Sequence, residues 1–144
     1  MRLFLAIILA GLSFLPVRAD DATATNTSSP VFKPSELFKY KVKVWKAVNL
    51  RWNSKVDTQS QVLETGVVKI QFTISSDGEV KVEVLAGSDL PKLVAISKEA
   101  IMEAAPFPSF TDSMRQEVGE SFTDTLTFSF TASDHGHQSS ITTN

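Results

Sequence analysis

The stretch Gly66-Val67-Val68-Lys69-Ile70-Gln71-Phe72-Thr73-Ile74-Ser75-Ser76-Asp77-Gly78-Glu79-Val80-Lys81-Val82-Glu83-Val84 decides the fold. Val68, Ile70, Phe72 and Ile74 alternate with Lys69, Gln71 and Thr73, the period of a half-buried strand. Ser75-Ser76-Asp77-Gly78 is turn chemistry, with Gly78 able to take a positive φ. Val80, Val82 and Val84 then alternate with Lys81 and Glu83, which predicts the return strand of an antiparallel hairpin.

Downstream, Ser88 or Asp89 caps a predicted helix, and Pro91 is tolerated in its first turn. Leu93, Ile96, Ala100, Ile101 and Ala104 form its apolar face. Pro106 ends it, because Pro106-Phe107-Pro108 must be extended. Thr111 to Gly119 reads as a polar connector. Phe122, Leu126, Phe128 and Phe130 alternate with Thr123, Thr125, Thr127, Ser129 and Thr131, the pattern of a third strand. Ser133 to Asn144 is polar and reads as a disordered tail.

Upstream, Ser35 is an N-cap candidate with Glu36 in the first turn. Phe38, Val42, Trp45, Val48 or Asn49, and Trp52 follow helical spacing. Lys39, Lys43, Lys46 and Arg51 fall mostly elsewhere on the wheel, as a solvated face. Tyr40, Val42 and Val44 alternate as a strand would, but the apolar stripe persists for four turns, so a helix over Ser35–Trp52 is predicted. Asn53 to Thr65 reads as a loop.

The order helix, strand, strand, helix, strand sets the third strand parallel in direction to the second. Placing it beside the first makes every neighbour antiparallel. The expected fold is α+β: a two-layer α-β-β-α-β sandwich, a three-stranded antiparallel sheet of order 2-1-3 with two helices on one face. The domain then covers residues 35–132. The third strand would be an edge with a row of unpaired backbone groups and one charge, Asp124. Asp124, Thr125, Leu126, Thr127, Phe128 and Ser129 are accordingly the candidate partner-binding residues, by strand addition. A dimer mate or the connector could cover the same edge. One backbone phase, Thr125, Thr127 and Ser129 or Asp124, Leu126 and Phe128, must face outward, and the pattern does not distinguish them.

Within 144 residues there is no cysteine and only two histidines, His135 and His137. Disulfides, thiol nucleophiles, Cys-based zinc sites and iron–sulfur clusters are thereby excluded. The net charge of -2 argues against nucleic acid as a partner. His135-Gly136-His137 could hold copper or nickel weakly, but reads as part of the tail. Asp77 reads as a turn residue, Glu99 and Glu103 as a solvated pair, and Trp45 and Trp52 as core. No catalytic, cofactor-binding or metal-ligating residues are assigned.

Residues 1–19, MRLFLAIILAGLSFLPVRA, carry Arg2, a 13-residue apolar run from Leu3 to Leu15, and small or modest side chains before a cut between Ala19 and Asp20. This is the pattern of a secretory signal peptide, and a spanning helix needs about 20 apolar residues. Cleavage leaves 12 basic against 16 acidic residues. The expected product is an exported chain that does not span the membrane, with residues 20–34 as a disordered leader.

The hairpin Gly66–Val82, the helix exit Ala104-Ala105-Pro106-Phe107-Pro108 and the strand Leu126-Thr127-Phe128-Ser129-Phe130 together resemble the TonB C-terminal domain and its TolA-like relatives. Tyr40, Val44, Val48 and Trp52 resemble the preceding helix of the TolA-like branch. The resemblance spans about 95 residues, from Phe38 to Thr131. It implies a non-enzymatic periplasmic binding module of a Gram-negative bacterium, gripping an envelope protein partner such as an outer-membrane receptor or a translocation component, often by strand addition. In that family a long linker joins the domain to an inner-membrane helix coupled to a proton-driven motor. Here the leader of about 15 residues extends roughly 50 Å at most. The alternative is a membrane-anchored energy transducer that keeps residues 1–19.

Overall fold

The computed structural model describes residues 34–143. The expected signal peptide, the Ala19–Asp20 cut and nearly all of the leader lie outside the described residues. The element order is α1 (Glu36–Gln59), a 3-10 turn (Ser60–Val62), β1 (Gly66–Ser75), β2 (Val80–Ala86), α2 (Pro91–Ala104), α3 (Asp112–Val118), β3 (Ser121–Ser133) and β4 (Gly136–Thr143).

The strands form one antiparallel sheet of order β2-β1-β3-β4. The α+β class and the 2-1-3 order within it are as expected. The sheet has four strands, however, and the described residues hold three α-helices. The supposed tail supplies the fourth strand: Ser133↔Gly136 through Leu126↔Thr143 pair β4 with β3. A sequence as polar as GHQSSITT becomes a strand because β3 offers it a full row of backbone partners. Ile141 is its one buried apolar residue, opposite Phe128.

Ser35 caps α1 as predicted, its hydroxyl accepting from the Phe38 amide at 3.1 Å. The helix runs two turns past Trp52. Its buried stripe is Tyr40, Val44, Val48, Trp52 and Val56, spaced by four residues, whereas Phe38 is exposed. Trp52 lies against Phe128 with ring centroids 5.0 Å apart, which seats α1 on the sheet. Tyr40 meets Phe110 and Phe122 edge-on at 5.3 and 5.7 Å. The expected connector contains α3. Thr111 caps it by accepting from the Met114 amide, and Met114 is buried.

Neither Ser88 nor Asp89 caps α2. Its first amides are taken by a distant carboxylate: Glu64 accepts from Leu93 at 2.9 Å and from Lys92 at 3.3 Å. Desolvation alone would raise the Glu64 carboxyl, but the amides of Glu64, Leu93 and Lys92 outweigh it and hold the pKa below its ordinary value.

The β1–β2 turn is closed by Gly78, at φ +91°. A Cβ on Gly78 would lie 1.9 Å from the Phe107 carbonyl oxygen, and the Phe107 amide donates to the Gly78 carbonyl at 3.0 Å. The turn glycine and the Pro106-Phe107-Pro108 exit are thus two halves of one contact. No helix among the described residues is long and apolar enough to cross a membrane.

Candidate protein-interaction edges

Two anchors fix which way each backbone group points. The Ser75 amide donates to the Glu79 carbonyl at 2.9 Å, and the Ser76 amide donates to the Glu120 carbonyl at 2.8 Å. Antiparallel ladders alternate between hydrogen-bonded and open pairs. The odd-numbered residues Thr73 and Gln71 therefore face β2, and Ile74, Phe72, Ile70 and Val68 face β3. In β3, Phe122, Asp124, Leu126 and Phe128 bond β1, and Thr123, Thr125, Thr127 and Ser129 face the other way. The same alternation turns the amides of His137, Ser139, Ile141 and Thr143 outward in β4, and those of Val80, Val82 and Val84 outward in β2.

This resolves the phase left open by the sequence and corrects its premise. The candidate residues Asp124, Thr125, Leu126, Thr127, Phe128 and Ser129 are not on an edge strand. Leu126 to Ser129 lie between β1 and β4, with Leu126 and Phe128 buried. β4 was unreadable because it carries one core residue where a strand signal needs three or four. Asp124 and Thr125 lie beyond the last described β3–β4 pair, Leu126↔Thr143. There Asp124 turns toward the helices, pairs with Lys41 at 2.8 Å, and accepts from the Thr125 amide at 2.9 Å. An inward charge that occupies an outward amide blunts this end of the strand.

The two edges of the described sheet are thus β2 and β4. β4 carries no Asp, Glu, Lys or Arg, and its side chains are mostly exposed Ser, Thr and Gln. Beside its end, a crevice of about 10 Å³, room for one water at most, is lined by Lys41, Val44, Trp45, Phe72, Asp124 and Leu126. Trp45, expected in the core, is only half-buried here.

The other singled-out side chains have structural partners. Lys55 reaches both Glu99 and Glu103 at 2.8 Å; these hydrogen bonds, Glu103's first, raise the Lys55 pKa. Asp77 accepts from the Ser75 hydroxyl within the turn, which lowers its pKa. His137 stacks on Phe130 with centroids 5.7 Å apart, and its Nε2 lies 3.8 Å from Asp57. Among the described residues no three His, Asp or Glu side chains converge as a metal site.

Comparison with characterised proteins and with solved structures yields no significant match. A family model described as TonB C terminal matches residues 38–128. That span runs from the first turns of α1 into β3 and stops short of β4. The matched span is most of the chain and includes the hairpin, α2 and the proline exit: the chain belongs to the TonB C-terminal domain family.

Proposed function

We propose that the chain is a non-enzymatic periplasmic protein-binding module that captures an envelope protein by strand addition at β4. Membership of a family of envelope interaction modules supports the binding role. The observation that carries the location is the edge itself: a strand without Asp, Glu, Lys or Arg, whose amides at Ser139 and Thr143 point outward. Main-chain bonds would supply affinity there, with specificity left to the side chains that flank the edge. The partner is an outer-membrane receptor or a translocation component. Export, with cleavage after Ala19, belongs to the same reading and rests on the apolar run Leu3–Leu15.

The test is a pair of proline variants read by circular dichroism and by crosslinking pull-down from the periplasm. Ser139→Pro removes an outward donor and is expected to spare the fold while abolishing capture. Ser140→Pro removes a donor to β3 and is expected to release β4. Normal capture by a folded Ser139→Pro protein refutes binding at this edge. An intact mass that retains Met1 refutes cleavage and favours the anchored energy transducer.

A further inference from the structure

The opposite edge, β2, has a different character. It reads Val80-Lys81-Val82-Glu83-Val84-Leu85-Ala86. Val80 and Val82 are half-buried and pack against the core from the rim of the sheet. Lys81 and Glu83 are exposed on the other face and form no ion pair among the described residues. Val80, Val82 and Val84 turn amide and carbonyl outward, as derived above. A row of valines with outward donors and acceptors is the kind of edge that proteins ordinarily blunt with charge.

The placement of the two charges is self-complementary. Lay a second copy of β2 antiparallel to the first, with Val82 opposite Val82 of its mate. Val80 then faces Val84 of the mate and Val84 faces Val80. All three are hydrogen-bonded pairs, since the outward groups are those of the even-numbered residues. Lys81 falls opposite Glu83 and Glu83 opposite Lys81, in the open pairs where side chains come closest. Moving the register by one pair in either direction sets Lys81 or Glu83 against its own copy, which repels. The charge pattern therefore selects a single register, and the half-buried valines of the two copies meet on the helix side. β4, without such a pair, has no comparable preference for itself.

We infer that β2 is a homodimerisation edge, at which two copies join their sheets antiparallel about a two-fold axis through Val82. This leaves β4 free, so the inference stands or falls separately from strand addition there.

Sedimentation equilibrium of the full chain over a concentration series tests it. The unaltered protein is expected to show a monomer–dimer equilibrium. Lys81→Glu and Glu83→Lys each turn two attractive cross-strand pairs into repulsive ones, and each is expected to weaken the dimer about ten-fold. The double variant Lys81→Glu/Glu83→Lys restores the complement and is expected to recover the original affinity. Val82→Pro, with an unchanged circular dichroism spectrum, is expected to be monomeric. Both charges are exposed and unpaired, so the exchanges leave the fold intact. A monomer at every concentration, a dimer insensitive to the single exchanges, or a double variant no better than the singles overturns the inference.

Discussion

Gly78→Ala is the sharpest test of how the hairpin is held. Two costs are separable there. The first is conformational: φ is +91°, and a side chain in such a region costs about 1–3 kcal/mol. The second is steric. The new Cβ would sit 1.9 Å from the Phe107 carbonyl oxygen and 2.9 Å from its carbon, which are backbone atoms and cannot swing aside. Relief requires the exit segment to retreat, stretching the 3.0 Å bond from the Phe107 amide to Gly78 and unseating the buried Phe107 ring. Losing that bond costs about 0.5–1.5 kcal/mol, and partial exposure of the ring adds about 1–2 kcal/mol. Gly119→Ala is the control. Gly119 has φ +79° but nothing within 4 Å of its would-be Cβ, so only the conformational cost, about 1–3 kcal/mol, applies. Urea titration of both variants should therefore place Gly78→Ala about 1.5–3.5 kcal/mol below Gly119→Ala. Equal losses would mean that the Phe107 contact contributes nothing beyond the glycine conformation.

Phe72, buried between the β2 valines and Phe122, should cost about 3–5 kcal/mol on truncation to alanine, measured by the same titration. Ile141→Ala should raise amide exchange across Gly136–Thr143 far more than across β1, because Ile141 is the one apolar residue β4 buries; uniform acceleration would show that β4 opens only with the whole domain. Tyr40 is pushed up to about 12 by burial, from an ordinary value of 10.0, and its hydroxyl donates to the Pro108 carbonyl at 2.7 Å. Between those values the unfolded chain loses its tyrosine proton and the folded chain keeps it, so stability should fall as pH rises from 10 to 12. Tyr40 is the sole tyrosine, so ultraviolet absorbance reports its titration directly; a midpoint near 10 in the folded protein would contradict the burial argument.

The hairpin was legible because its two strands each bury one face and water the other, which writes a period of two into the residues. Residues 68–74 and 80–84 keep that period without exception. The start of α1 is legible through Ser35, but the position of its buried stripe is not. Buried residues four apart drift around the helix, so the stripe passes through Tyr40 and Val44 and leaves Phe38 and Val42 beside it. The last two turns of α1 bury only Val56, and α3 buries only Met114. One core residue per segment carries no period; Thr111 as a cap was the available sign of α3. β4 was hidden for a related reason. Its stability comes from backbone bonds to β3, and backbone bonds leave no mark on side-chain identity. With β4 invisible in the sequence, β3 reads as the edge although it lies one strand inside it. The charge logic of β2, by contrast, lies open in the sequence, but only the ladder phase shows which residues face outward.

The carboxylate that caps α2 has a consequence for the order in which the domain assembles. Glu64 is separated from Lys92 and Leu93 by the whole β1–β2 hairpin. A helix whose first amides are satisfied only by a residue so far away begins with a deficit that no local contact removes. An isolated peptide of residues 88–105 should fray at its amino end, and the same segment on a nascent chain must wait for the hairpin to close before it acquires a fixed first turn. The strand pair is thus the template and the helix its dependant, the reverse of what their separate propensities suggest.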